Sequence, residues 1–207
     1  MNLKVIEYYF TPNRILDIGA NVGQFRMECQ RAFPRSHIFS VEANKDHEAR
    51  LRSLTNDYAI LLLGNEDKIV PFFRNKTDWV GSGNSIYREL TPHFRDENLL
   101  VTQEHMVRLD DQRELALTPF DLIKIDTQGS EVDIIKGGLC TCEKAKGLLL
   151  EVSLVPYNAG APLYNEVLRF VAGIGFSPAV ILDEHVETHQ KDVLFLNSTI
   201  FGKRLEL

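Results

Sequence analysis

The sequence predicts an α/β fold in which helices cover both faces of a mostly parallel sheet. Between residues 14 and 63, apolar strand-like segments alternate with helical segments, which is typical of a doubly wound sheet. The segment 59–63 is almost continuously apolar, as expected of a parallel strand that is buried on both faces. The length of 207 residues suits one domain, which we predict to span residues 1–207.

The first part of the chain contains five elements that follow from apolar spacing and end signals. An apolar segment leads into a glycine turn, and the helix after that turn ends at Pro34. Asn44 or Asp46 is a suitable N-cap for the second helix. We predict strands at 14–19, 37–41 and 59–63, and helices at 24–33 and 46–54.

Residues 65–120 form an insert, because they far exceed the roughly dozen residues that one strand crossover requires. Two segments of this insert, 69–73 and 106–109, have the composition of additional strands. The segment 77–84 contains Trp79 and is predicted to be a mobile loop. Because function concentrates on loops that a rigid sheet supports, we interpret the insert as the substrate-facing part of the domain.

The second part of the chain returns to regular elements. Strands are predicted at 121–126 and 147–152, and helices at about 130–136 and 162–172. Gly137 and Gly138 form a suitable end for the first of these helices. The segment 183–191 lacks helical apolar spacing, so we expect a hairpin between two late strands, 177–182 and 193–196, which are then antiparallel.

Composition excludes several classes of partner. The net charge of −6 argues against broad contact with nucleic acid or an anionic membrane, because both require clustered Lys and Arg. The sequence contains neither a recognisable signal peptide nor a bilayer-spanning segment. Its three cysteines are too few for a disulfide framework, and Cys140 and Cys142 lack zinc-site spacing. We therefore expect a cytoplasmic protein with no nucleic-acid, membrane or metal partner.

The clearest binding motif is Asp17-Ile-Gly-Ala-Asn-Val-Gly23, between the first strand and the first helix. Glycine permits unusual backbone angles and close approach of a ligand, so Gly19 and Gly23 indicate a tight binding turn. The free N–H groups at the start of the following helix favour a carboxylate or phosphate. Glu42 ends the second strand, where such folds place an acid that accepts hydrogen bonds from ribose hydroxyls.

Two residues of this turn favour S-adenosyl-L-methionine over a dinucleotide. Asn21 stands where a dinucleotide-binding turn has a second glycine against the pyrophosphate, and Gly23 follows one residue too soon. Asp17 precedes the turn, where a carboxylate suits the cationic ammonium group of a bound amino acid and opposes a pyrophosphate. The sequence therefore predicts S-adenosyl-L-methionine as the cofactor, with NAD as the alternative.

Motifs spread over nearly the whole chain resemble the FkbM-type methyltransferase family. The most distinctive is Lys-Ile-Asp-x-x-Gly-x-Glu at residues 124–131. The resemblance implies a class I methyltransferase fold, a Rossmann-like three-layer sandwich with a mostly parallel seven-stranded sheet and an antiparallel C-terminal hairpin. It also implies O-methylation of a hydroxyl on a sugar, polyketide or related metabolite. The segments that carry the resemblance are 15–25, 41–44, 107–111, 122–131, 135–137 and 150–152.

The resemblance also implies, by position, a set of cofactor-binding residues. Asn65 follows the third strand and is the candidate adenine contact. The implied set is Asp17, Gly19, Ala20, Asn21, Gly23, Glu42, Ala43 and Asn65.

Charged residues interrupt the two middle strands of the predicted sheet. Because buried charges are costly unless paired, we expect Lys124 to pair with Glu151 or Asp126 at the carboxyl edge of the sheet, beside the methyl group. Asp126 and Glu131 would orient a hydroxyl acceptor or, alternatively, hold a divalent metal. A structural ion network without a chemical role is a further alternative. The predicted catalytic residues are Lys124, Asp126, Glu131 and Glu151.

The general base, the acceptor and the oligomeric state stay open at this point. His93 and His105 lie in the insert, within reach of a substrate, although both also suit an exposed surface. A small-molecule hydroxyl acceptor is the leading hypothesis; the alternatives are an N-, protein or nucleic-acid acceptor and a catalytically silent binding protein. Only residues 1–13 precede the first strand, which leaves room for a second copy in a homo-oligomer to close the site.

Overall fold

The structure, a computed structural model, describes residues 1–78 and 80–202. Its strands are β1 (Arg14–Ile18), β2 (His37–Glu42), β3 (Tyr58–Ile60), β4 (Leu62–Gly64), β5 (Lys68–Asn75), β6 (Leu99–Arg108), β7 (Leu122–Ile125), β8 (Gly147–Ser153), β9 (Phe176–His185) and β10 (Gln190–Asn197). Its α-helices are α1 (Gln24–Ala32), α2 (Glu48–Leu54), α3 (Arg113–Leu117), α4 (Glu131–Gly137), α5 (Leu139–Cys142), α6 (Tyr164–Gly173) and α7 (Ser198–Phe201). None of these described helices combines the length and the apolar character that a bilayer crossing requires.

Seven strands form one sheet in the order β3-β2-β1-β7-β8-β10-β9. In this order the first five strands, β3, β2, β1, β7 and β8, are parallel, whereas β10 pairs antiparallel with both β8 and β9. This arrangement confirms the predicted mostly parallel sheet with an antiparallel C-terminal hairpin. The chain runs outward from β1 through β2 and β3 and later returns to the other side of β1 as β7. A topological switch point therefore lies between β1 and β7, where folds of this class bind their ligands.

Apolar cores cover both faces of the sheet, which makes the molecule three layers thick. One core packs β1, β7 and β8 against α4 and α6, and the other packs them against α1 and the N-terminal 3-10 helix Leu3–Tyr8. Successive residues of a strand point to opposite faces, so Leu148 and Leu150 enter the first core and Leu149 the second. This double burial explains why apolar residues occupy both faces of the middle strands.

The predicted third strand at 59–63 is wrong in one respect, because two short strands replace it. β3 pairs in parallel with β2 in the main sheet, whereas β4 pairs in parallel with β6 in a separate sheet of order β4-β6-β5. The break falls at Leu61, whose N–H donates to the Glu42 carbonyl at 2.9 Å. An apolar run specifies a buried strand but not its partner, so the change of sheet is invisible in the sequence.

The insert contains the two additional strands that its composition predicts. The segments 69–73 and 106–109 fall largely within β5 and β6, which pair antiparallel, and β6 begins at Leu99, well before the predicted start at Met106. The loop after β5 is organised by two side chains: Asn75 Oδ1 accepts from the N–H groups of Thr77 and Asp78, and Asp78 accepts from those of Val80 and Ser82. Mobility of this loop stays a prediction, and Trp79 lies outside the described residues.

Candidate active site

The glycine turn after β1 folds back against the end of β2. The N–H groups of Gly19 and Ala20 both donate to the Val41 carbonyl, at 2.9 and 3.0 Å. Gly19, Asn21 and Gly23 have φ values of 77°, 50° and 86°, which lie in the left-handed region that favours glycine. Asn is the side chain that best tolerates this region after glycine, which accounts for its place in the turn.

Glu42, at the end of β2, connects this turn to the next segment. Its two carboxylate oxygens accept from the backbone N–H groups of Asn21 and Asn44, each at 2.7 Å. Nδ1 of the buried His47 lies 3.8 Å from the same carboxylate. A carboxylate offers about four acceptor positions, so Glu42 retains two for a ligand.

A cavity of about 340 Å³ opens at the carboxyl edge of β1, β2, β7 and β8. This volume lies within the range of roughly 300–1,000 Å³ that is common for small-molecule sites. Apolar side chains, including Val41, Leu61 and Phe72, line part of its wall, and Leu61 adjoins Glu42. The predicted site residues in its wall are Gly19, Ala20, Asn21, Glu42, Ala43, Lys124, Asp126 and Glu151.

Lys124, on β7, is the centre of a buried ion cluster beneath the turn. Its Nζ lies 3.4 Å from Asp17 Oδ1 and 3.3 Å from Asp126 Oδ2, and it donates to the Gly19 carbonyl at 3.1 Å. Burial alone would lower the pKa of Lys124, but the carboxylates of Asp126 and Asp17 raise it above its usual value. The lysine is therefore a fixed cation that fastens the turn to the sheet.

The prediction that Lys124 pairs with Asp126 is confirmed, but the expected position of Asp17 is not. Asp17 is 0 % exposed and is absent from the cavity wall, and its Oδ1 contacts Lys124 Nζ. Because Lys124 also donates to the Gly19 carbonyl, this pair links Asp17 to the turn. Burial raises the pKa of Asp17 although the nearby lysine charge opposes this effect.

Glu151, on β8, is held by two amides. Its Oε2 accepts from Gln128 Nε2 at 2.5 Å and from Gln190 Nε2 at 2.9 Å. Gln128 Nε2 also donates to Asp126 Oδ1 at 3.1 Å, so this amide joins the two carboxylates. Burial, reinforced by the negative charge of Asp126, raises the pKa of Glu151 well above its usual value.

Glu131, the first residue of α4, does not lie in the cavity wall. Its Oε1 accepts from the N–H groups of Thr127 and Gly129, at 2.9 and 3.1 Å. Burial raises the pKa of Glu131 to about 7, although these N–H groups lower it. Glu131 is therefore bonded to the backbone of the loop that carries Gln128.

Two further members of the predicted set also lie outside the cavity wall. Asn65 comes directly after β4, a strand of the three-stranded sheet, and its Nδ2 donates to Asp133 Oδ1 at 3.3 Å. Gly23 is the N-cap of α1, with a φ of 86°, and an added Cβ there would approach the end of the Leu54 side chain. Asn65 lies outside the cavity wall because β4, the strand before it, pairs with β6 and not with the main sheet as the sequence predicts.

Several residues in the cavity wall escaped the sequence analysis. Gln128 has a φ of 57°, unusual for a side chain of its size, and such strain marks functional loops. Asp183, His185 and Asp192 also line the cavity, with one ligand-type atom each within 4.8 Å of one another. They are engaged in ion pairs, because His185 Nε2 contacts Asp192 at 2.9 Å and the Met1 amine contacts Asp183 at 3.2 Å. Only the Lys-Ile-Asp-x-x-Gly-x-Glu motif, which spans Gln128, offered a sequence signal.

The family of the chain follows from this combination of turn, acid and motif together with comparison with known sequences. A model of the methyltransferase FkbM domain matches residues 17–178, from β1 to the start of β9. The chain belongs to the FkbM methyltransferase family. No curated protein sequence matches it.

Solved structures share the fold of this FkbM-family chain at low sequence identity. Methyltransferase FkbM of Methylobacillus flagellatus KT is 13% identical with a TM-score of 0.56, covering 93% of this chain and 47% of that one. The fibrillarin/Nop5p complex is 14% identical with a TM-score of 0.53, covering 89% and 72%. A TehB-like SAM-dependent methyltransferase of Corynebacterium glutamicum is 9% identical with a TM-score of 0.50, covering 94% and 85%. The fold is therefore that of class I methyltransferases, and the chain spans about half the length of the FkbM structure.

Proposed function

We propose that this FkbM-family protein is an S-adenosyl-L-methionine-dependent O-methyltransferase that acts on a hydroxyl of a sugar, polyketide or related small molecule. The observation that carries the proposal is the cavity itself. One part of its wall contains the glycine turn and Glu42, and another contains the carboxylates of Asp126 and Glu151. The cavity therefore offers a donor-binding region and a proton-accepting region within one enclosure.

The donor-binding region fits S-adenosyl-L-methionine. Asn21 Oδ1 is buried without a hydrogen-bond partner, and such an acceptor suits the ammonium group of the cofactor. Glu42 has two free acceptor positions for the ribose hydroxyls. Leu61, which adjoins Glu42, presents apolar surface that suits the adenine ring, and Phe72 lines the same cavity. The other residues of the wall that would bind the cofactor are Gly19, Ala20 and Ala43.

Glu151 is the residue that we assign as the general base. When bound, S-adenosyl-L-methionine supplies an electrophilic methyl group on a positively charged sulfur, and S-adenosylhomocysteine is the leaving group. Glu151 accepts the proton of the attacking hydroxyl, and its raised pKa brings its basicity closer to that required near neutral pH. Gln128 and Gln190 fix the carboxylate, and Asp126 orients the acceptor beside it. Lys124 holds Asp126 and the turn in place.

Calorimetry with S-adenosylhomocysteine and NAD in parallel tests the cofactor. We expect binding of S-adenosylhomocysteine and no binding of NAD. Binding of NAD alone would overturn the proposal, and binding of neither would favour a catalytically silent member of the fold. Mass spectrometry of candidate acceptors after incubation with the cofactor then identifies the methylated molecule and atom. Methylation of a hydroxyl oxygen on a small molecule supports the proposed reaction. Methylation of a nitrogen, a protein or a nucleic acid would contradict it.

Replacement of the two carboxylates tests the assignment of catalytic residues. Glu151→Gln keeps the oxygen that accepts from Gln128 and Gln190, so we expect normal folding and normal S-adenosylhomocysteine affinity. The turnover number should fall by about 10²–10⁴-fold, the range for loss of a general base. Asp126→Asn should also slow methyl transfer, whereas Glu114→Gln, on an exposed residue of α3, should have no effect. A wild-type rate in folded Asp126→Asn or Glu151→Gln would remove that residue from the mechanism.

A further inference from the structure

A second cavity, of about 620 Å³, adjoins the candidate donor site. The two cavities share five wall residues: Ser82, Gly83, Gln128, Glu151 and His185. A ligand in the second cavity would therefore contact Glu151 and Gln128 while the first cavity holds the donor. This position suits the molecule that receives the methyl group.

The charge of the second cavity is one-sided. Its wall contains the carboxylates of Glu89, Glu151 and Glu187 and no lysine or arginine among the described residues. The imidazoles of His93 and His185 also line it, and His185 is already paired with Asp192. A phosphate or carboxylate on a ligand would find no permanent cation there and would be repelled by the three acids.

Glu89 is the deepest of these acids, at 4 % exposed. Its carboxylate accepts from the hydroxyls of Thr91 and Tyr157 and packs closely over Gly83, where an added Cβ would overlap it. Within residues 1–78 and 80–202, no lysine or arginine forms a salt bridge with it. Burial raises the pKa of Glu89, and a cation bound beside it would lower that pKa again.

We propose that the second cavity is the acceptor site and that it selects a hydroxyl compound carrying a protonated amine, with the amine at Glu89 and the reactive hydroxyl at Glu151. A buried carboxylate without a cationic partner is costly, and a ligand ammonium group supplies that partner. The neutral hydroxyls of Thr91 and Tyr157 already donate hydrogen bonds to the Glu89 carboxylate. What the ligand ammonium group contributes in addition is a positive charge. This inference rests on the proposed function, because it takes the first cavity as the donor site.

A matched series of sugars tests the charge selection on protein loaded with S-adenosylhomocysteine. Glucosamine, glucose and glucose 6-phosphate differ mainly in charge, and ligand-observed saturation-transfer titration measures their binding. We expect glucosamine to bind most tightly, glucose more weakly and glucose 6-phosphate not at all. In Glu89→Gln the advantage of glucosamine over glucose should fall by roughly tenfold or more, because a charge-assisted hydrogen bond is lost. Glu97→Gln, which removes a charge from an exposed residue outside the cavity, should leave it unchanged.

Three results would overturn the inference: equal binding of glucosamine and glucose, binding of glucose 6-phosphate, or an unchanged glucosamine preference in Glu89→Gln. Failure of all three sugars to bind would also count against it. Because Gln can still accept from Thr91 and Tyr157, Glu89→Gln should fold, and its thermal unfolding is the check. S-adenosylhomocysteine affinity, measured on the same samples, separates failure of the acceptor site from failure of the donor site.

Discussion

At the scale of single residues, Glu42 combines two roles: it holds the backbone of the turn, and it offers acceptor positions for a ligand. Each of its oxygens already accepts one backbone N–H group, from Asn21 and from Asn44, and each has one position left for a ligand. Replacement by glutamine would turn one oxygen into an NH2 group that faces a backbone donor. The change therefore weakens both ligand binding and the shape of the turn.

For Glu42→Gln we expect S-adenosylhomocysteine affinity to fall by roughly 10–100-fold, the effect of losing hydrogen bonds to a charged acceptor. The unfolding temperature should fall as well, because one buried N–H group loses its partner. Calorimetry and thermal unfolding measure the two effects. An unchanged affinity in a folded protein would exclude Glu42 from the donor site.

Glu131 provides a prediction about pH. Its pKa is about 7 in the folded protein, above its usual value of 4.5, so the folded state binds the proton more tightly than the unfolded state. This contribution to stability is fully present below pH 4.5 and is lost as the pH rises towards about 7. Glu131→Gln removes this dependence and keeps an oxygen that can accept from Thr127 and Gly129.

We therefore expect the free energy of unfolding of Glu131→Gln, relative to wild type, to increase between pH 4.5 and 7, by about 1–3 kcal/mol in total. Urea unfolding across this pH range measures the difference. A constant difference would mean that the carboxylate is ionised at every pH tested. The turnover number should change little, because Glu131 lies outside the cavity wall.

At the scale of elements, α4 ends in direct contact with β4. The prediction that this helix ends at Gly137 and Gly138 is confirmed, because Gly137 is its last residue and Gly138 its C-cap. A Cβ on Gly137 would overlap the carbonyl oxygen of Gly64, so this glycine allows close approach of the helix to the small sheet. The contact places α4 across the start of the insert.

Gly137→Ala should lower the free energy of unfolding by about 1–3 kcal/mol, the usual cost of overpacking against an immovable backbone. Gly173, the last residue of α6, is a matched control, because no atom lies within 4 Å of its added Cβ. Gly173→Ala should leave stability unchanged or raise it slightly, since alanine favours a helix. Denaturant unfolding of both variants makes the comparison, and equal stabilities would refute close packing at Gly137.

At the scale of the whole molecule, the Lys124 cluster joins the centre of the sheet to the glycine turn after β1. Asp17 lies on β1 and Lys124 on β7, the two strands on either side of the switch point, and Gly19 begins the turn above them. Within residues 1–78 and 80–202, removal of the lysine leaves Asp17 fully buried without a salt-bridge partner. The stability of the fold and the geometry of the turn therefore depend on the same charge.

Lys124→Met should destabilise the protein by about 3–5 kcal/mol, the usual cost of breaking a buried ion pair from one side. The double variant Lys124→Met/Asp17→Asn should recover part of that loss, because the uncompensated charge is also gone. A double-mutant cycle in urea gives the coupling energy between the two residues. Simple additivity of the two single effects would show that the pair is not coupled.

Much of this molecule could be predicted from local sequence. Strand-to-helix alternation, the glycine turn and Glu42 are encoded by neighbours along the chain, so the fold class, the parallel sheet and the hairpin follow from patterns. The change of sheet at Leu61 could not be predicted, because β4 takes its partner from β6 in the insert. Asn65 was misplaced for the same reason.

The sequence by itself determined that this chain is an α/β protein of the FkbM methyltransferase family with a glycine turn after β1. Only the tertiary structure decided which buried polar groups are in contact. Asp17 pairs with Lys124, and the Gln128 amide joins Asp126 to Glu151. Only it placed Glu89 in a second cavity beside the first. The physical reason is that turns and strand patterns are local, whereas the pairing of buried charges depends on residues that are distant along the chain and adjacent in space.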